Sequence, residues 1–217
     1  MSFNSFITFI IICDLMSNWN VLWSKTSSNS LSVKMHHKIV FNAYKKLLDP
    51  LNLKNPEIIE LGCGPAGLSA RLVKRYGGSA TLVDKSRNAL KLAFSIFKKD
   101  DLKCKILKKD LLKFNLRKRF DLVHSDGLIE HFIGEQQVKI IKIHRKYVNK
   151  NGYILICVPR PTWYYKLWKK YLQTRGKWFF GFEKALNKDD LKSILEKSGL
   201  EVIRIIEFTG QTIALAK

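Results

Sequence analysis

The segment Glu57 to Gly67 (EIIELGCGPAG) constrains this chain more than any other. An apolar run ends on an acidic residue, Glu60, and passes at once through Gly62, Gly64 and Gly67 into a helical pattern that begins near Leu68. Glycines are wanted where a strand turns sharply into a helix and where backbone must come close to a ligand. The helix start that follows offers unpaired N–H groups to a polar or anionic group. As a bare pattern the glycines match the GxGxxG nucleotide fingerprint, which is a weak signal when it stands alone.

The rest of the chain supplies a sheet for that turn to belong to. Apolar runs bounded by turn residues alternate with helical patterns: strand Ile58 to Leu61, helix Leu68 to Tyr76, strand Ala80 to Val83 and helix Asn88 to Phe97. Strands Cys104 to Leu107 and Phe120 to His124, helix Gln136 to Val148 and strand Tyr153 to Val158 follow. Such β-α alternation predicts a doubly wound, mostly parallel sheet covered on both faces. The tail breaks the rhythm. Helix Asp189 to Lys197 leads into strands Glu201 to Phe208 and Thr212 to Ala216, and the short Thr209-Gly210 connector predicts an antiparallel hairpin.

A chain of 217 residues, 46% of them apolar, is enough for one core and too short for two ordinary enzyme domains. The expected domain runs over residues 35–217 and opens on an amphipathic helix from Met35 to Leu48, stopped by Pro50. Residues 1–34 read as an N-terminal extension and a flexible, Ser- and Asn-rich arm able to close over a site. Met16 is the expected true start. The apolar run Phe3 to Ile12 is too short to span a bilayer and lacks the flanks of a signal peptide. A short membrane-inserting anchor is the competing reading of that run. Cys13, Cys63, Cys104 and Cys157 form no CxxC pair, which points away from zinc and toward a reducing cytoplasm. With 39 Lys and Arg against 18 Asp and Glu, the chain attracts nucleic acid or anionic membrane, unless the excess is a solvated Lys coat.

What sharpens the glycine turn is its company. Asp84 ends the second strand about 20 residues after the glycines, where a carboxylate can accept from both hydroxyls of a ribose. Asp110 follows the third strand and suits the exocyclic amine of an adenine. Glu60 discriminates between cofactors: a carboxylate directly before the turn repels a pyrophosphate, as in a nicotinamide cofactor, and attracts a cationic methionine tail or sulfonium.

These residues resemble the class I S-adenosylmethionine-dependent methyltransferases, in particular the methyltransferase type 11 family, over roughly residues 55–217. The resemblance rests on ELGCGPAG, LVDKS, KKDLL, FDLVHSDGLIEHF and NGYILICVP, in that order. It implies a Rossmann-like α/β fold of seven strands in the order 3-2-1-4-5-7-6, with S-adenosylmethionine as cofactor. Glu60, Gly62, Cys63 and Gly64 would lie against its methionine part and Asp84 and Lys85 against the ribose and adenine. Asp110 and Leu111 would hold the adenine, and Ser125 the cofactor's amino group. The chain departs from the family at the usual third glycine, which is Ala66, and at Lys85, where an apolar residue often covers the adenine.

Ligands of open α/β sheets bind outside the carboxyl ends of the strands, between the first and the fourth in this order. That places His124, Ser125, Asp126, Glu130 and His131 near the chemistry. His131 is the expected general base for a hydroxyl or protonated nitrogen acceptor, with Glu130 or Asp126 orienting it, against the plainer reading of a His that caps or packs a helix start. A metal site built from His124, Asp126, Glu130 and His131 has the right ligand types without persuasive spacing, and none is expected.

The insertion Arg160 to Phe182 (RPTWYYKLWKKYLQTRGKWFFGF) is the most distinctive stretch. Trp163, Tyr164, Leu167, Trp168 and Tyr171 recur at helical spacing, with Lys166, Lys169 and Lys170 on the remaining face. Four readings compete: a lid over an apolar acceptor, an interfacial helix on anionic membrane, a stacking platform for single-stranded nucleic acid, and ordinary core packing. The continuous helical face favours a small-molecule or lipid-like acceptor over RNA. A cytoplasmic enzyme, peripheral to a membrane in the second reading, is expected.

Overall fold

The computed structural model describes residues 31–178 and 180–217 together with Trp19, Asn20 and Trp23. The apolar run at Phe3 to Ile12 and the start assigned to Met16 lie outside the described residues.

Alternation between strand and helix runs through the chain as its punctuation requires. Helix α1 (Leu31–Leu48) leads, and then come β1 (Glu57–Leu61), α2 (Gly67–Tyr76), β2 (Ser79–Asp84), α3 (Arg87–Lys99) and β3 (Cys104–Lys108). After these lie β4 (Phe120–Asp126), α4 (Glu135–Tyr147), β5 (Val148–Pro159), α5 (Trp163–Thr174), α6 (Lys188–Lys197), β6 (Val202–Phe208) and β7 (Gln211–Ala216). The strands form one sheet in the order β3-β2-β1-β4-β5-β7-β6, and β7 runs antiparallel to both of its neighbours. β5 begins earlier than the apolar run Tyr153 to Val158 suggests. Val148 already pairs with Phe120, and a register shift absorbs the polar residues between Val148 and Tyr153.

Side chains sort onto the two faces by the period of two that a pleated strand imposes. Ile58, Leu82, Leu122 and Leu155 join Tyr44, Leu72 and Phe97 in the core under α1, α2 and α3. Ile59, Val83, Val123 and Ile156 join Ile141, Tyr147 and Leu191 in the core under α4 and α6. The same parity decides where polar residues go. Glu60 and His124 fall on the α1–α2 side, and Ser125 falls on the α4 side. Two side-chain caps fix helix starts at the crevice edge: Ser86 accepts from the Ala89 N–H and Thr162 from the Tyr165 N–H.

Candidate active site

The glycine turn is locked against the end of β2. The N–H groups of Gly62 and Cys63 both donate to the Val83 carbonyl, at 2.9 and 3.0 Å. Gly64, at φ +49°, donates to Asp84 Oδ2 at 2.9 Å, while Asp84 Oδ1 accepts from the Ser86 N–H at 2.7 Å. Asp84 therefore staples the turn. A carboxylate has about four lone-pair sites, so capacity is left for a ribose. Burial pushes its carboxyl up, against those same N–H groups, which pull it down. Where the family has its third glycine, Ala66 sits in the left-handed region at φ +56° as the residue capping α2, a conformation that costs an L-residue roughly 1–2 kcal/mol.

Under the turn lies a buried polar group of side chains from α1, β1, α2 and β4. His124 Nε2 is 2.8 Å from Ser69 Oγ and 3.9 Å from Glu60 Oε2. Glu60 Oε2, His124 Nδ1 and Tyr44 Oη are buried with no hydrogen-bond partner among the described residues. Burial drives the Glu60 carboxyl well above the usual carboxylate range and the His124 imidazole down to about 3. A buried carboxyl with one oxygen left without a partner beside a glycine turn fits a cationic donor, because such a partner restores its charge and satisfies that oxygen.

The end of β4 departs from expectation in how it orients His131. The His131 Nδ1 lies 2.8 Å from the Phe182 carbonyl. A carbonyl only accepts, so Nδ1 carries the proton and Nε2 keeps its lone pair. Burial lowers the imidazole below its ordinary value, which leaves it neutral near pH 7. Neither proposed carboxylate orients it. Asp126 faces His36 Nε2 at 3.9 Å. Burial pushes Asp126 up, but the His36 hydrogen bond and charge outweigh this and hold it below the usual range. Glu130 is buried with Oε2 unpartnered, and burial followed by the Glu183 charge drives its carboxyl far up, toward a neutral acid.

The side chains of Cys63 and Ser125 are both buried. Cys63 turns its thiol into the core, its N–H is spent on Val83, and its carbonyl accepts from the Ala66 N–H at 2.8 Å. Ser125 is fully buried on the α4 side, 2.9 Å from His144 Nε2. Its hydroxyl donates there, because His144 Nδ1 is 2.8 Å from the Ile140 carbonyl and must hold that ring's proton. Gly62 keeps its place at the turn, where a Cβ would lie 2.8 Å from Leu128 Cδ1. Asp110 is exposed, and its Oδ1 accepts from the Leu112 N–H at 2.9 Å, the capping habit of Asp. Half-buried Leu111 follows it. Burial lowers the Lys85 ammonium, opposed by the charges of Asp110 and Asp84.

Several residues at the crevice were not named from sequence. Ser69, Tyr44 and His36 lie on helices and carry no motif. The described residues of the arm expected to close over a site meet it at several points. Trp19 meets the His131 ring edge-on at 4.9 Å, and Trp23 Cζ2 lies 3.0 Å from where a Cβ on Gly64 would be. Asn20 Oδ1 accepts from Ser86 Oγ at 2.7 Å. Two tryptophans in an otherwise polar stretch were the available signal.

The insertion reaches the site by way of Phe182 to Lys184. The Lys184 N–H donates to the Glu130 carbonyl at 2.8 Å, and Tyr165 Oη donates to Glu183 Oε1 at 2.5 Å. Its aromatic stripe is not core packing, since α5 buries none of its residues. Among the described residues, no three His, Cys, Asp or Glu side chains are grouped to hold a metal ion.

The chain is similar to known proteins. The chain is 30% identical over 101 residues to ribosomal protein L11 methyltransferase of Thermosipho melanesiensis, covering 46% of this chain and 36% of that protein. It is 26% identical over 136 residues to ubiquinone biosynthesis O-methyltransferase of Pelagibacter ubique, covering 62% and 55%. It thus spans about a third and about half of these relatives. The magnesium protoporphyrin IX methyltransferase of Synechocystis, solved with bound SAH, superposes with a TM-score of 0.68 at 17% identity, over 98% of this chain and 97% of that one. The methyltransferase-domain family model matches residues 35–205, a span that holds the glycine turn, Glu60, Asp84 and the end of β4, and the chain belongs to that family.

Proposed function

We propose that the chain binds S-adenosylmethionine across the glycine turn and transfers its methyl group to a small-molecule or lipid-like acceptor. The observation that carries this reading is Glu60, buried beside the turn with its Oε2 lacking a hydrogen-bond partner among the described residues. A pyrophosphate cofactor would meet repulsion there, whereas the ammonium of a methionine moiety would be drawn in. Asp84 accepts from the ribose hydroxyls with the lone pairs that the turn leaves it. The second oxygen of Asp110 and the Leu111 backbone face the adenine. Bound S-adenosylmethionine supplies a methyl group made electrophilic by a positively charged sulfonium.

What falls to the chain is alignment of the acceptor and removal of its proton. His131 Nε2 takes that proton, held in the right tautomer by the Phe182 carbonyl. Trp19 stands edge-on to the ring and limits the approach of water. The ubiquinone biosynthesis and magnesium protoporphyrin IX enzymes are named for small-molecule acceptors, which supports that class. The ribosomal protein L11 enzyme is named for a protein, so a protein acceptor is the second reading.

Calorimetry with S-adenosylmethionine tests the first step, and absence of binding sinks the reading. Incubation with labelled cofactor and a host-cell extract tests the second. Label extracted into organic solvent supports the small-molecule class, and label precipitating with protein or RNA refutes it. Cofactor binding with no transfer to any fraction would make the chain a non-catalytic binding module.

A further inference from the structure

Helix α5 is amphipathic the wrong way round for a packed helix. Tyr165, Lys169 and Leu172 turn toward the body of the protein, and Tyr165 and Lys169 are both tied to Glu183. Trp163, Tyr164, Leu167, Trp168 and Tyr171 occupy one continuous arc that faces outward, with Trp163 76% and Leu167 62% exposed. Lys166 and Lys170 flank the arc. Between Arg160 and Phe182 the chain has six cationic residues and no carboxylate.

We propose that α5 is an interfacial helix that docks the protein on an anionic lipid bilayer, with the Trp163–Leu167–Tyr171 face in the headgroup region. Charge complementarity selects this occupant. A second copy of the chain would bring the same excess of cations to the contact and be repelled, whereas an anionic surface attracts Lys and Arg within a Debye length. Single-stranded RNA would satisfy the cations but leave most of a packed apolar arc wet, because stacking uses separated rings. A helix with aromatic and Leu side chains on one face and Lys beside them lies in the plane of a membrane interface. Among the described residues no helix is long and apolar enough to cross a membrane, so the contact is peripheral. The body-facing side of α5 rests on Glu183, next in sequence to the Phe182 carbonyl that holds His131. Docking would therefore bring the mouth of the crevice to the bilayer surface.

The test is flotation of the full chain with vesicles of phosphatidylcholine alone and of phosphatidylcholine mixed with phosphatidylglycerol. Binding is expected only to the anionic vesicles and should weaken as salt rises. Trp163→Ser with Leu167→Ser, at two exposed positions where folding is not at stake, should lower binding at least about tenfold, given the apolar area withdrawn. Lys166→Glu with Lys170→Glu should lower it at least about tenfold as well. Equal binding to both vesicle types, or no loss in either double variant, would overturn the proposal. So would the finding that the Trp163/Leu167 change abolishes self-association or RNA binding while vesicle binding is absent. Calorimetry with S-adenosylmethionine on the same preparations separates this inference from the functional reading, since vesicle binding and cofactor binding can each fail alone.

Discussion

The ends of β1, β2 and β4 and the insertion around α5 are built on opposite principles. At the strand ends nearly every polar atom is assigned: Asp84 holds Gly64 and Ser86, Ser125 holds His144, and Val83 holds two consecutive N–H groups. The exceptions are Glu60 Oε2, His124 Nδ1, Tyr44 Oη and Glu130 Oε2, buried atoms without a hydrogen-bond partner among the described residues. In α5 no residue is buried, and Trp163, Tyr164, Leu167, Trp168 and Tyr171 face out. Dense pairing makes a site that is specified before its ligand arrives, and the few orphans mark where that ligand's charge belongs. An exposed aromatic helix is specified by what it meets.

The largest effect that would sharpen this contrast is on His131. His131→Ala should lower turnover by about 10²–10⁴-fold, the range for a positioned base, with cofactor affinity little changed. In the unaltered protein, turnover should fall as pH drops through the His131 pKa. Burial puts that value below 6.5, so the fall lies on the acid side of neutrality. A flat profile, or an unimpaired variant, would show that proton removal is not the chain's task.

Acid stability probes the packed half directly. His144 is pushed from 6.5 down to about 4 by burial. Its folded form binds fewer protons than the unfolded chain between those values, so stability is present above pH 6.5 and lost as pH falls toward 4. The loss comes to about 3 kcal/mol from this one side chain. Glu60 and Glu130 act with the opposite sign, so the check is the difference between two proteins. Urea titrations at pH 7 and pH 4 should show His144→Gln losing about 3 kcal/mol less than the unaltered chain. Equal losses would mean that His144 is not neutral in the fold.

Asp84→Ala comes next. It should weaken S-adenosylmethionine by roughly 1.5–3 kcal/mol, about 10- to 150-fold. Because Asp84 also staples the Gly64 N–H, the variant should melt lower too, an effect that the ribose role alone does not produce. Unchanged affinity in a folded variant removes the ribose contact. A smaller and favourable effect is expected at Ala66, whose left-handed backbone suits glycine. Ala66→Gly should raise stability by about 1 kcal/mol, read from the denaturation midpoint, and a loss would mean that the Ala66 methyl matters more than its backbone.

The fold, and the placing of Glu60, the glycine turn and Asp84 at neighbouring strand ends, could be read from residues 55–217 because strand, turn and helix signals there are local. Strand alternation puts Glu60 and His124 on one face and Ser125 on the other, which proximity along the chain does not reveal. The orienter of His131 was hidden for a different reason: it is a backbone carbonyl 51 residues away, and a main-chain acceptor leaves no residue-type signal. Tyr44, His36 and Ser69 were illegible because helical faces reach the crevice only once α1 and α2 have packed. The stripe on α5 was visible as a pattern. Its direction depends on the rest of the molecule and so could not be read from spacing.

The smallest expected effect tests the division between the two halves most directly. Trp168 and Trp178 lie with ring centroids 5.6 Å apart in the insertion. Calorimetry of S-adenosylmethionine binding to the Trp168→Ala, Trp178→Ala double variant should give an affinity within about threefold of the unaltered chain, less than 1 kcal/mol, while turnover on the acceptor falls. A collapse of cofactor affinity in a folded double variant would contradict it, because the insertion would then be part of the cofactor site.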